Sequence, residues 1–410
     1  MGKGIYSGIK IPVLMMESYM GWPVQIILPK ERVPGINWKK WVFSFVTLLF
    51  VSLMAAIIVK VAVPVKDVNS LKLLFLLFFA AVFIYFISLA VRIYYFGLCL
   101  SAFEAYEKES ELTKKEWTEW ASRELYVSAY KLFTPLDISQ SDIATGKPVE
   151  VYSGQQLRLR GHSGEAFTEE QIIYELLASV RAKVMNLAKI CVFDVMFTYG
   201  SSNVSFTIFK ECWVAIGLPE KCLNKYYYLH GTLEQEFERL SSVKNNLVTI
   251  IFSANIESVE EYSAELTEFA SVLLVTHQKE LSGNANNGVA LRALTCGQTL
   301  AKQEFIHMMT YQPDVVESSK VFFSNMSVDE ALHISDLLRT SCLPMGVSWE
   351  YEMQDMNVLL GKLGGKHFWL VFTLALFVCE KSRESVLMIS SVGNDYVFNV
   401  VKPFENSREQ

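Results

Sequence analysis

HFWLVFTLALFVCE, residues 367–380, is the stretch on which the reading of this chain turns. From Phe368 to Cys379 it carries no charge, but this apolar run of about 12 residues falls short of the roughly 20 that a helix needs to cross a bilayer. A segment apolar on every side and too short to span belongs inside a protein core. It is therefore expected to be a buried helix or strand of a soluble domain. The surrounding sequence supplies partners. TEEQ (Thr168–Gln171) and SVDE (Ser327–Glu330) read as capping boxes that open amphipathic helices. ICVFDVMFTY (190–199), LVTIIFSA (247–254), SVLLVTH (271–277) and KVFFSN (320–325) read as buried strands, and VLMISSVGNDYVFNVV (386–401) as a hairpin turning at Gly393 and Asn394. NVSFTIF (203–209) reads as a further strand across the GSS turn, with helices near 232–243 and from Ser258, and an exposed loop at 282–288. Alternation of this kind predicts an α/β fold, helices covering a mostly buried mixed sheet, over residues 135–410.

The front of the chain is different in kind. Residues 41–59 and 73–91 are each 19 residues long without a formal charge, close to the length a spanning helix needs. They predict a transmembrane hairpin over 41–96, with Pro64 in its turn and the lipid bilayer as partner. Residues 1–40, interrupted by Pro12, Gly21 and Pro23, form an N-terminal interfacial or cytoplasmic segment. Residues 97–134, free of proline and, past Gly97, of glycine, predict a juxtamembrane helix with Trp117 and Trp120 as a core or partner-binding face.

Charge divides the same way. The first 100 residues hold 10 Lys/Arg against 3 Asp/Glu, while the whole chain is at −6. Basic residues before the first span and Arg92 after the second place both termini in the cytoplasm, which with the hairpin gives a multi-pass protein of a bacterial inner membrane. Seven scattered cysteines without CxxC pairing agree with a reducing compartment. The acidic body excludes nucleic acid as a partner.

Chemistry is sparse. GKLGGKH (361–367) resembles a phosphate loop, but its glycines stand one residue too close and His367 occupies the Ser/Thr position. GxGxxG before a helix, HExxH, GxSxG and CxxC do not occur, and the six histidines stand at non-ligand spacings, so neither metal nor cofactor is expected. The minimal catalytic set is a thiol, Cys296 in ALTCGQT, with His307, His333 or His367 as base.

Two resemblances follow from these segments. SVLMISSVGNDYVFNVVKP, SANIESVEEYSAELTEFASVLLVTH and HFWLVFTLALF together resemble the strand-helix-strand order of the ketosynthase/thiolase-like fold. Asn394, Asp395 and Tyr396 stand where that family has glycines, and its catalytic His motifs are absent, which implies a degenerate domain. The layout of hairpin, WTEWASREL (117–125) and acidic body is similar to membrane accessory proteins of bacterial type VI secretion clusters. These readings lead to an inner-membrane-anchored interaction protein whose cytoplasmic body docks an effector, chaperone or secretion component. The alternative is a membrane-tethered thiol acyltransferase or hydrolase using Cys296.

The topology is checked by reporter fusion. A phosphatase active only outside the cytoplasm should be silent after Gln410 and active when inserted near Val65; activity at the C-terminus reverses the orientation.

Overall fold

A computed structural model describes residues 21–24, 26–62, 68–161, 164–200, 203–229, 233–241, 246–256, 265–282 and 288–404. The helix expected from Ser258, most of the 282–288 loop, the Pro64 turn, the GSS turn beyond Gly200 and residues 1–20 lie outside or largely outside them. The chain divides into two compact units, Ile26–Glu116 and Trp117–Gln410 together with Met1–Gln25.

The smaller unit is built on α1 (Trp38–Ala62) and α2 (Val68–Ala121), of which α2 ends in the larger unit. Both are long and apolar enough to cross a membrane, and nothing of their most apolar stretches is buried. Polar side chains inside α1 are satisfied locally: Thr47 Oγ1 donates to Phe43 O at 2.8 Å and Ser52 Oγ to Leu48 O at 2.7 Å. Such bonds are what hydrocarbon surroundings demand of a hydroxyl. The two helices pair through Tyr85, whose hydroxyl donates to Trp41 O at 2.7 Å and whose ring packs on Phe45. α2 passes Gly97 unbroken but stops at Ala121. The helix expected through Phe133 is corrected there. ELYVSAYKLF is a strand, with Leu125 and Val127 buried on its core side.

The larger unit runs β1 (Glu124–Phe133), α3 (Gln140–Thr145), α4 (Glu169–Leu187), β2 (Val192–Phe197), α5 (Asn203–Ala215), β3 (Leu223–Tyr228), α6 (Leu233–Ser241), β4 (Leu247–Asn255), β5 (Phe269–Thr276), α7 (Lys279–Ser282), β6 (Gly288–Leu291), β7 (Leu294–Gly297), α8 (Ala301–Tyr311), β8 (Lys320–Ser324), α9 (Val328–Cys342), β9 (Glu352–Asp355), α10 (Met356–Leu360), α11 (His367–Ser382), β10 (Val386–Val392) and β11 (Asp395–Pro403). Both capping boxes form as expected, Thr168 with Gln171 and Ser327 with Glu330. NVSFTIF is the start of α5, not a strand, because the apolar period runs on: Phe209, Cys212 and Trp213 fall on one helical face against the core.

The strands form one mixed sheet in the order β3-β2-β4-β5-β1-β6-β11-β10-β8-β9, with β7 also beside β11. Its halves repeat one pattern. β2 pairs parallel with β3 and β4, and β4 antiparallel with β5; β8 pairs parallel with β9 and β10, and β10 antiparallel with β11. Side chains alternate across both halves. Leu273 and Val275 of β5, with Val386 and Met388 of β10, join the cluster that contains α11. Their neighbours Val272 and Leu274 pack with α4 and α5, and Leu387 and Ile389 with α8 and α9. Five layers result, helix-sheet-helix-sheet-helix. HFWLVFTLALFVCE is the middle one, buried along its length against β1, β5, β6, β8, β10 and β11.

The larger unit also holds the chain on either side of residues 26–116. Trp22 and Val24 are buried in the core beside α8. Trp22 Nε1 donates to Ala293 O at 3.0 Å, its backbone N–H to Glu304 Oε2 at 3.2 Å, and its ring meets Trp120 edge-on at 5.5 Å. The last carbonyls of α2 are captured as well: Arg292 Nε donates to Trp120 O at 3.0 Å and Gln312 Nε2 to Ala121 O at 2.8 Å. The Arg292 guanidinium stacks on Trp120 at 3.9 Å, a cation placed at the negative end of a helix dipole. Residues 21–24 are thus part of the folded body, and Trp22 contributes buried aromatic area to its core. Trp22→Ala should destabilise the detergent-solubilised full chain by about 3 kcal/mol, the scale of a buried Trp truncation. An unchanged denaturation midpoint would show this contact to be peripheral.

Candidate functional site

α11 begins between the two half-sheets, and a cleft of about 230 Å³ lies at its head. Asn255 at the end of β4, Leu266, Thr267 and Phe269 around the start of β5, the loop Leu363–Lys366, and His367 and Leu370 of α11 line it. Backbone contacts fix the loop: Thr267 N donates to Lys362 O at 2.8 Å and Lys362 N to Gln155 O at 2.8 Å. Two glycines of GKLGGKH are needed for this fit. A Cβ on Gly361, whose φ is +80°, would stand 2.5 Å from Gln155 O, and one on Gly364 would stand 2.2 Å from Leu266 Cδ1. The motif that reads as a defective phosphate loop is a close-packing turn. Its polar neighbours are already engaged, with Asn255 Nδ2 donating to Thr267 O at 2.9 Å and Thr267 Oγ1 to Leu360 O at 2.7 Å.

His367 differs. It is 2% exposed, and its Nδ1 lies against Gly364 O. A carbonyl only accepts, so Nδ1 carries the proton and the neutral ring keeps its lone pair on Nε2. Nε2 is buried without a hydrogen-bond partner in the structure. Burial pushes the imidazole pKa down to about 4, partly opposed by the Gly364 carbonyl, so the ring is neutral at physiological pH.

The other candidate residues lie apart from this cleft. Cys296 is fully buried on β7, opposite Tyr396 of β11, in the outer cluster with Phe305 and Phe398. That cluster is on the other face of the sheet from α11, which separates Cys296 from His367. His307 is buried on α8 with Nδ1 3.6 Å from Glu304 Oε2, and His333 is exposed on α9. Trp117 and Trp120 are half-buried and meet edge-on at 5.8 Å, packed against the same outer cluster. Among the described residues no group of three or more His, Cys, Asp or Glu is placed to hold a metal. Asn255 and Thr267 were missed by sequence reasoning; nothing in their local spacing marks them, since only the fold brings them to the GKLGGKH turn.

No family model matches the sequence, and a search of curated proteins gives no match. Solved structures do match. Ketosynthase twelve from the bacillaene polyketide synthase in Bacillus amyloliquefaciens superposes with a TM-score of 0.50 at 9% identity, over 70% of this chain and 74% of that one. An OleA variant from Xanthomonas campestris bound with cerulenin gives 0.45 at 10% identity, over 70% of this chain and 98% of that one. The 3-oxoacyl-[acyl-carrier-protein] synthase III from Aquifex aeolicus VF5 gives 0.39 at 10% identity, over 68% and 99%. The five-layer arrangement and the ketosynthase superposition define the body as thiolase/ketosynthase-like in fold.

The His367 reading has a pH signature. A histidine neutral down to about pH 4 when folded, but titrating near 6.5 when unfolded, binds more protons in the unfolded state between those values. Stability is therefore full above the unfolded pKa and falls as pH drops towards 4. From pH 7 to pH 5 the loss from this group should be about 2 kcal/mol. His367→Gln should remove that component, seen as a flatter pH dependence of the denaturant midpoint; equal slopes would mean that the ring is protonated or accessible.

Proposed function

We propose that the chain is a membrane-anchored acyl-binding protein of thiolase architecture, with the cleft at the head of α11 as its ligand site and α1–α2 as its anchor. The observation that carries this is the composition of the cleft. Leu266, Phe269, Leu363 and Leu370 offer an apolar wall, while the first turn of α11 and the His367 ring bring the positive end of a helix dipole and a lone-pair acceptor beside it. A hydrocarbon chain ending in a carbonyl and a hydrogen-bond donor meets both demands. The ketosynthase-like fold supports the same ligand class. Binding is favoured over turnover by His367 itself, since a group with pKa about 4 is a weak general base near neutrality. The described lining holds one hydroxyl, that of Thr267, which already donates to Leu360 O. In this reading α1–α2 tether the body to a bilayer, with both termini in the cytoplasm.

A tethered acyltransferase is the second reading, favoured by the lone pair on Nε2. There the imidazole would take the proton of an alcohol, thiol or water that attacks an acyl thioester, and return it to the departing thiolate. Cys296 is not needed in either case.

Binding is measured with a fluorescent long-chain acyl ligand on the detergent-solubilised full chain, and turnover as thiol released from an acyl thioester. We expect saturable binding that falls at least about tenfold in Leu266→Trp, which fills the cleft, since one blocked pocket contact costs a decade or more. Wild type should release no thiol above background. Release lost in His367→Gln would favour the acyltransferase; release lost in a folded Cys296→Ala would overturn both in favour of thiol catalysis.

A further inference from the structure

We propose that the end of the α1–α2 pair marked by Lys39, Lys40 and Arg92 is a binding surface for anionic phospholipid headgroups; this rests on α1–α2 being the bilayer anchor. The contacts of Tyr85 with Trp41 and Phe45, and of Phe45 with Phe86, set the two helices side by side. α1 begins at Trp38 and α2 passes Tyr85 on its way to Arg92, so the start of α1 lies at the level of this part of α2. Arg92 follows Tyr85 by seven residues, two helical turns and about 10 Å, and so lies on the same face of α2 as the ring that touches α1. Lys39 and Lys40 directly precede Trp41 and are exposed, and Arg92 is half-exposed.

Among the described residues these cations are paired with no carboxylate. Between Glu31 and Glu104 the sequence holds one carboxylate, Asp67, which lies between α1 and α2 in sequence and outside the described residues. Trp38 precedes Lys39 in the chain and Tyr94 and Tyr95 follow Arg92, at 55%, 70% and 58% exposure, the aromatic composition that suits a headgroup layer. Apolar helix surface on one side, exposed aromatic residues next to the cations in sequence and three unbalanced positive charges fit a surface that supplies net negative charge at the depth of the phosphates. A zwitterionic headgroup brings its own ammonium and leaves the imbalance in place. Each cation near an anionic surface favours association by roughly fivefold, screened by salt.

The test uses the full chain reconstituted in phosphatidylcholine bilayers, with spin-labelled phosphatidylglycerol or phosphatidylcholine as probe, and reads the ratio of their association with the protein. The ratio should exceed unity several-fold at low salt, approach unity at high salt, and approach unity at low salt in the triple variant Lys39→Gln, Lys40→Gln, Arg92→Gln. Lys147→Gln, an exposed residue of the larger unit, should leave it unchanged. A ratio of one for the wild type, or a preference that survives both salt and the triple substitution, overturns the proposal. Salt dependence is read on the wild type, so the outcome does not depend on the variant folding. Failure of the full chain to enter either bilayer is a different result: it removes the anchor reading, and this surface with it.

Discussion

A helix that is apolar around its whole circumference has to be enclosed, and α11 sets that condition for the rest of the body. One sheet can cover one side of it; the other side needs a second apolar surface, or Phe368, Trp369, Phe372 and Leu376 would not all be buried. The two half-sheets meet this by presenting one face each to α11 and the opposite face to an outer helix pair, α4 and α5 on one half, α8 and α9 on the other. The cleft is a by-product of the same condition. A helix that starts inside the body must be reached by a turn packed close to its neighbours, and Gly361 against Gln155 O and Thr267, like Gly364 against Leu266, has no room for a side chain.

The repeated pairing in the two halves is not matched in what fills them. The crossover from β9 to β10 contains the 16-residue α11, whereas the crossover from β3 to β4 contains α6, of 9 residues. One half therefore supplies the helix on which both pack. That asymmetry leaves the head of α11 beside the end of β4, with space where Asn255, Thr267 and His367 meet.

Much of this was legible from local pattern. Capping boxes at Thr168 and Ser327, the apolar strands β4, β5 and β8, the Gly393-Asn394 hairpin and the burial of residues 367–380 each depend on residues within one element, and each is present. The misreadings lie where local composition and the tertiary setting disagree. NVSFTIF is rich in β-branched and aromatic residues, but Cys212 and Trp213 beyond it complete a helical face. ELYVSAYKLF lacks any helix breaker, yet it is the strand between β5 and β6 that joins the two half-sheets. The site was only half legible. GKLGGKH attracted notice for the wrong chemistry, and the importance of His367 comes from burial and from Gly364 O, neither of which has a sequence signature. Trp22 likewise looked like part of a membrane-proximal segment, because nothing near it in sequence announces Ala293 and Glu304.

The position of α11 in the chain has a consequence during synthesis. β1 through β5 are complete by residue 276, but the helix that covers their inner face starts at residue 367. At translation speeds of about 5–20 residues per second, some 90 residues represent roughly 5–20 s in which Leu125, Val127, Leu273 and Val275 face solvent or a holdase. The nascent N-terminal half is an unfinished sheet for that interval. Its survival over that interval depends on chaperoning close to the ribosome.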